Sequence, residues 1–156
     1  MAILILVTLA LGLRLTSMEP DLPNLWLHGL HKTLGITLLA LILWHVISRP
    51  SALIGPPGPG RIFIKARHRT LYALINATPI AGWAGSSASG IVTVIAGTVT
   101  LPPLIRPMET AEFGWFILHE IFAKTLLGMV IVHILAALKR EMEGDGTLRR
   151  MLRSCV

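Results

Sequence analysis

The chain has few charged residues and almost no cysteine. Charged residues make up 14% of its 156 residues, whereas about 25% is usual in soluble domains. The hydrophobic fraction is 53% and the mean hydropathy is +0.70. This composition excludes an ordinary soluble domain. Cys155 is the single cysteine, which excludes an intramolecular disulfide.

Apolar segments fill most of the sequence and exclude a second domain. Four of them, at residues 2–16, 25–47, 70–86 and 115–138, are predicted to be membrane spans. The sequence therefore predicts an all-α membrane protein, a four-transmembrane-helix bundle that forms one domain over residues 1–156. The first segment is short for a span and lacks the basic start and the cleavage site of a signal peptide. We interpret it as a truncated or tilted first helix.

The connections between the spans differ in composition. Residues 48–69 include a run of glycine and proline at 55–60 and are predicted to be non-helical throughout. Residues 85–113 form a long connection whose β-branched run, 91–101, is too short to cross a membrane as a helix. We expect this run to lie on the outer mouth of the bundle. Pro79 is expected to kink the third span.

The basic residues predict the orientation. The formal charge is +6, but the basic residues cluster just outside the spans, which favours a topology signal over a nucleic-acid site. Residues 48–69 contain five Lys or Arg residues and the segment after 138 contains five more, while the other two connections contain only Arg106. By the positive-inside rule, both termini and the 48–69 connection are expected to face the cytoplasm.

Four histidines lie inside predicted spans, in two matching pairs. His119 and His133 are fourteen residues apart on the fourth span, and His31 and His45 are fourteen apart on the second. Fourteen residues bring two side chains to one helix face, about 21 Å apart along the axis. One histidine of each pair is thus near each membrane surface. Ionisable groups inside a span are costly, so this arrangement indicates a function.

Two facing helices with such histidines can hold two flat cofactors. Bis-imidazole ligation of haem iron needs axial nitrogens from opposite sides and an apolar slot. The sequence has no CxxCH site, so any haem would be non-covalent haem b. Gly35 and Gly128 are predicted to admit the ring edge. Bis-histidine iron has no open coordination position, which favours electron transfer over oxygen activation.

Three stretches of the chain resemble one known family. They are Leu30-His31-Lys32-Thr33-Leu34-Gly35, the pattern His68…Tyr72…Thr78-Pro79-Ile80-Ala81-Gly82-Trp83, and Leu118-His119-Glu120 followed by His133 and Ala136-Ala137-Leu138-Lys139. Together they resemble the bacterial cytochrome b561 family, related to the cytochrome b subunits of nickel hydrogenases. The resemblance implies a four-helix, di-haem b membrane protein that exchanges electrons with quinone or small redox partners.

The resemblance also implies ligands. It assigns His31 and His119 to the outer haem and His133 to the inner haem, partnered by a histidine that opens the first helix in a His-Trp pair. This sequence lacks that histidine and has His45 where the family usually has arginine. Two explanations are open: either the true start lies upstream, or His45 is the partner of His133.

Other polar residues near the spans are candidates for secondary roles. Arg67 and Arg69 are candidate partners of haem propionates, although a positive-inside anchor explains them equally well. His68, between them, is predicted to be an interfacial or propionate-binding group rather than a ligand. Lys124 is expected to reach the interface, a propionate or a quinone oxygen. His28 is expected to have a surface role.

Three smaller features complete the sequence-based picture. Glu120 is expected to be a solvated carboxylate at the end of the fourth span. Gly82 and Gly85 are expected to allow close helix packing.

The sequence therefore favours a membrane b-type cytochrome that carries electrons between quinone and a second, unidentified redox partner. Ubiquinone is the candidate quinone. A homodimer is a candidate assembly, and whether quinone turnover is enzymatic is open. Two alternatives are a proton relay or transporter bundle built on the histidines and Lys124, and a membrane anchor subunit for a soluble dehydrogenase.

Overall fold

The fold is known from a computed structural model, which describes residues 1–18, 21–48 and 61–142, without the side chains of 22, 61–65, 140 and 141. Its elements in chain order are α1 (Ala2–Thr16), a 3-10 turn (Leu22–Asn24), α2 (Leu25–Ser48), α3 (Arg61–Ala88), β1 (Thr93–Ile95), β2 (Val99–Leu101) and α4 (Glu109–Met142).

The helices are apolar on most of their surface. Helix α2 and residues Glu109–Lys139 of α4 are long and apolar enough to cross a membrane, and α1 is a shorter apolar helix. Large apolar side chains remain exposed on these helices, among them Ile3 at 79% and Ile47 at 75%. Exposed apolar side chains are expected where a helix faces lipid rather than water, because the lipid hydrocarbon is apolar too. The hydrogen bonds within the helix satisfy its backbone in that environment.

One small core joins the helices. Leu38 and Ile42 of α2 contact Ile75 of α3 and Leu126 of α4, and all four side chains are buried. Residues of α1 pack against this cluster from the outside. The core lies between the two ends of the bundle and so separates the histidines at one end from those at the other.

The prediction of a non-helical segment over all of residues 48–69 is wrong in its second half. Helix α3 begins at Arg61, nine residues before the predicted span at 70–86. The run of proline and glycine ends at Gly60, and the arginine, lysine and alanine that follow are good helix formers. The basic residues of this stretch therefore lie on the first turns of a helix that continues through Pro79.

A short hairpin interrupts the helical fold and was not part of the all-α prediction. Strands β1 and β2 are antiparallel, with Thr93 opposite Leu101. Two residues of their turn, Ala96 and Gly97, have φ values of 50° and 71°, a region that glycine adopts without strain. The backbone N–H of Ala96 donates to Oγ1 of Thr33 in α2 at 3.1 Å. This bond holds the hairpin against the half of α2 that carries His31.

The segment after the hairpin is fixed to α3. The N–H of Leu104 donates to Oγ of Ser87 at 3.0 Å, and the N–H of Met108 donates to the carbonyl of Ala88 at 3.0 Å. Hairpin and connection thus cover the end of the bundle at which α2 begins and α3 ends.

Candidate functional site

A cavity of about 390 Å³ lies under the hairpin and between all four helices. This volume is within the usual range for small-molecule sites. The cavity walls are mostly apolar, and His31 of α2 and His119 of α4 both line it. The centres of these two imidazole rings are 6.1 Å apart and the ring planes are nearly perpendicular, at 88°. His31 and His119, which the family resemblance assigns to one haem, are therefore brought together in one cavity.

The orientation of His119 is fixed by α3. Its Nδ1 is 2.8 Å from the backbone carbonyl oxygen of Thr78. A carbonyl can only accept a hydrogen bond, so Nδ1 carries the proton and Nε2 keeps a free lone pair. Metal-binding histidines commonly have this arrangement, in which the second nitrogen donates to a carbonyl.

Two glycines give the imidazoles the space they occupy. A Cβ atom at Gly82 would lie 2.8 Å from Nδ1 of His119, and one at Gly12 would lie 3.0 Å from Cε1 of His31. Both contacts are too close for an alanine unless the ring moves. Helices α3 and α1 therefore each support one ring through a residue without a side chain.

Gly35 and Gly128, which are predicted to admit the edge of a haem ring, do not make space for the imidazoles in this way. A Cβ atom at Gly128 would meet nothing within 4 Å, and one at Gly35 would make only an ordinary contact of 3.9 Å with Pro79. Gly85 is expected to allow close packing, and a Cβ atom there would lie only 3.0 Å from the ring of Phe116.

A second pair of imidazoles lies at the other end of the bundle. The ring of His133 faces that of His68, with centres 6.1 Å apart and planes at 60°. The ring of His45 instead stacks on Tyr72 of α3, with centres 6.2 Å apart and planes at 11°. His68, predicted to be an interfacial group, is thus the histidine whose ring contacts His133.

Polar atoms at this end lack partners. Nδ1 of His133 and Nε of Arg67 are buried and form no hydrogen bond with the described residues. Arg69, the other predicted propionate partner, is exposed. Of the two arginines, Arg67 is therefore the one whose side chain is partly enclosed next to the histidine pair.

Lys124 lies at the edge of the first cavity. Its Nζ forms a salt bridge with Oε1 of Glu120, one turn earlier in α4, and both side chains are more than half exposed. Both residues also line the cavity. The expectation that Glu120 is merely solvated is therefore incomplete, since it neutralises the lysine beside it.

Several polar residues that were not assigned to the first cavity from the sequence also line it, among them His28, Lys32, Trp83 and Thr93. His28, expected at the surface, has a buried Nε2 with no partner among the described residues. The spacing of residues 28, 31 and 32 could have revealed this, because side chains three and four residues apart share a helix face.

Comparison with known proteins identifies the family. The family described as prokaryotic cytochrome b561 matches residues 1–154 of the chain. "Cytochrome b561 homolog 2" of Escherichia coli (strain K12) is 32% identical over 137 residues, which cover 81% of this chain and 72% of that relative. The chain thus belongs to the prokaryotic cytochrome b561 family, and it is a membrane b-type cytochrome for electron transfer.

Proposed function

We propose that the protein carries electrons across the bacterial inner membrane and that His31 and His119 are the axial ligands of an outer haem b. The observation that carries this proposal is the ring pair in the 390 Å³ cavity. Bound haem supplies one-electron redox chemistry, and the protein supplies ligation, orientation and electrostatics.

The dimensions of the pair fit this role. Metal–imidazole bonds are about 2 Å long, so two imidazoles on opposite sides of one iron have ring centres about 6 Å apart. The observed separation of 6.1 Å agrees with that value. The proton on Nδ1 of His119 leaves Nε2 as the ligating atom. The apolar cavity wall provides the slot that a macrocycle requires.

The same argument supports a second haem at the inner end, with His133 as a ligand. The separation of 6.1 Å between His133 and His68 favours His68 as the opposing ligand. His45 has its ring face occupied by Tyr72, which counts against the His45–His133 pair expected from the sequence. A first-helix histidine, as the family resemblance implies, is the third candidate. Arg67, with its unpaired Nε, is suited to bind a propionate here.

The assembly in the membrane follows from the same helices. We propose that all four helices span the bilayer and that both termini are cytoplasmic, which the distribution of basic residues supports. Quinone is the proposed partner within the membrane, and Lys124 with Glu120 is its proposed contact, since both side chains are exposed on α4 and line the cavity. The second redox partner and the homodimer stay predictions.

The test is haem content. Wild-type protein and the variants His31→Ala and His119→Ala are purified in detergent, and haem per chain is measured as the pyridine haemochrome. We expect both variants to insert in the membrane and to lack the outer haem. His45→Ala is the matched control, because its ring contacts Tyr72 and not this cavity. Normal haem content and an unchanged reduced spectrum in both variants would refute the assignment.

The same preparations distinguish the alternative functions. A colourless wild-type protein that cannot be reduced by dithionite would favour the histidine proton relay. Co-purification of a soluble dehydrogenase would indicate a membrane anchor subunit.

A further inference from the structure

Some polar groups of the first cavity have no hydrogen-bond partner among the described residues. Nε2 of His28, Nε1 of Trp83 and Oγ1 of Thr93 are buried and form no hydrogen bond with the described residues. Buried polar atoms are almost always paired, so three unpaired atoms around one cavity indicate a polar ligand group. These three residues come from α2, α3 and β1, so three separate elements each contribute an unpaired polar atom to the same cavity.

Lys32 adds a positive charge to this group. It lines the cavity, and its side chain is partly buried. Among the residues that the structure describes, the carboxylate at the cavity, Glu120, is paired with Lys124, and none is paired with Lys32. An ammonium group that is partly withdrawn from water without a carboxylate partner favours an anion next to it.

The chemistry of the set selects an anion. The ammonium of Lys32 and the indole N–H of Trp83 can only donate hydrogen bonds, and the hydroxyl of Thr93 and the imidazole of His28 can donate as well. The position of Thr93 is well defined, because it is only 4% exposed and its strand is held to α2 through Ala96. A ligand with carboxylate groups satisfies such donors.

The four donor residues, Lys32, His28, Trp83 and Thr93, are close in the chain or in the fold to the imidazole pair. Lys32 follows His31 directly, and His28 precedes it by three residues on the same helix face. Three residues correspond to about 4.5 Å along a helix axis. His28 is therefore displaced towards the hairpin end, and Trp83 follows Gly82, which contacts His119. A carboxylate held by these residues would therefore lie beside the paired rings, on the side of the hairpin that carries Thr93.

We propose that Lys32, His28, Trp83 and Thr93 form a carboxylate cradle that binds the propionates of the outer haem. The proposal rests on the proposed function, because it takes haem b as the occupant of the cavity. The cradle fixes the haem in one orientation, with its propionates under the hairpin. It also places a positive charge close to the iron, which favours the reduced form.

The test compares two forms of the cofactor. Haem-free protein in lipid nanodiscs is titrated with haem b and with haem b dimethyl ester, whose propionates carry no charge. We expect the wild type to bind the ester at least tenfold more weakly than haem b. We expect Lys32→Met to bind the two forms with affinities within threefold of each other, and its haem b to have a lower reduction potential than in the wild type.

The controls separate charge from folding. Lys139→Met removes an ammonium from the far end of α4, at an exposed residue that does not line the cavity, and should keep the discrimination. Lys32→Arg should restore it, because the charge returns. Thr93→Val is a smaller change that should reduce the discrimination without abolishing it, and it tests the cradle even if Lys32→Met does not fold.

The outcomes also separate this proposal from the one on which it rests. If the wild type binds haem b and the ester equally well with a normal reduced spectrum, the cradle is refuted and the haem site stands. Retained discrimination in both Lys32→Met and Thr93→Val would refute it as well. If the wild type binds neither form, the proposed function itself fails.

Discussion

Replacing Gly82 by alanine should displace a proposed haem ligand without disturbing the rest of the bundle. The new Cβ would lie 2.8 Å from Nδ1 of His119, and ordinary contacts begin at 3.4 Å. The ring must therefore retreat from α3 by about 0.6 Å. The carbonyl of Thr78 is on the same side of the ring, so the hydrogen bond of 2.8 Å lengthens as the ring moves.

The magnitude of the effect follows from that displacement. A retreat of about 0.6 Å brings the bond to the edge of hydrogen-bonding distance. Loss of the bond that orients a metal-binding histidine typically costs 10–100-fold in affinity. We expect the Gly82→Ala protein to bind its outer haem at least tenfold more weakly than the wild type. The measurement is a titration of haem-free protein with haem b, followed by the reduced spectrum.

Gly128→Ala is the matched control for this variant. It makes the same chemical change in α4, where the added Cβ would meet nothing within 4 Å. In both variants alanine favours the helix by about 1 kcal/mol relative to glycine, so helix content should not fall in either. Equal haem affinity in the two variants would show that the ring of His119 does not lie against α3 as described.

Three further results are expected. His68→Ala should lower the haem count by one while His45→Ala leaves it unchanged; the opposite result would make His45 the inner ligand, and no change in either would favour a ligand outside these residues. A phosphatase fused after Val156 should be inactive, because the positive-inside rule puts that end in the cytoplasm, and an active fusion would reverse the orientation. Gly12→Ala, with its Cβ 3.0 Å from Cε1 of His31, should weaken the outer haem site less than the closer contact at Gly82 does, which the same haem titration measures.

The closeness of His31 and His119 could be predicted from the sequence, because it follows from where the apolar segments begin and end. His31 and His119 each lie near one end of a long apolar segment, and the order of the segments along the chain determines which ends are adjacent. The supporting glycines were not predictable in this way. Whether Gly12 or Gly35 is needed depends on how neighbouring helices cross and on the side-chain conformation of the ring, and neither is visible in spacing.

The contact between His68 and His133 could not be predicted from the sequence, for a definite physical reason. The glycine and proline run led to a non-helical interpretation up to residue 69, so His68 was placed in a loop and treated as an interfacial group. Once α3 begins at Arg61, His68 lies on a helix, and its ring reaches His133. His45 shares a helix with His31, but the partner of each ring depends on the helix opposite, and there Tyr72 contacts His45.

The hydrogen bond from His119 to Thr78 has a consequence for the movement of protons. The carbonyl of Thr78 has no proton to give, so Nδ1 of His119 is the donor in this bond. If Nδ1 lost its proton, two acceptors would face each other at 2.8 Å, which the apolar surroundings would make costly. If this end of the bundle holds the proposed haem, an electron can arrive and leave while Nδ1 keeps its proton, and a proton that accompanies the proposed quinone chemistry would be carried by other groups.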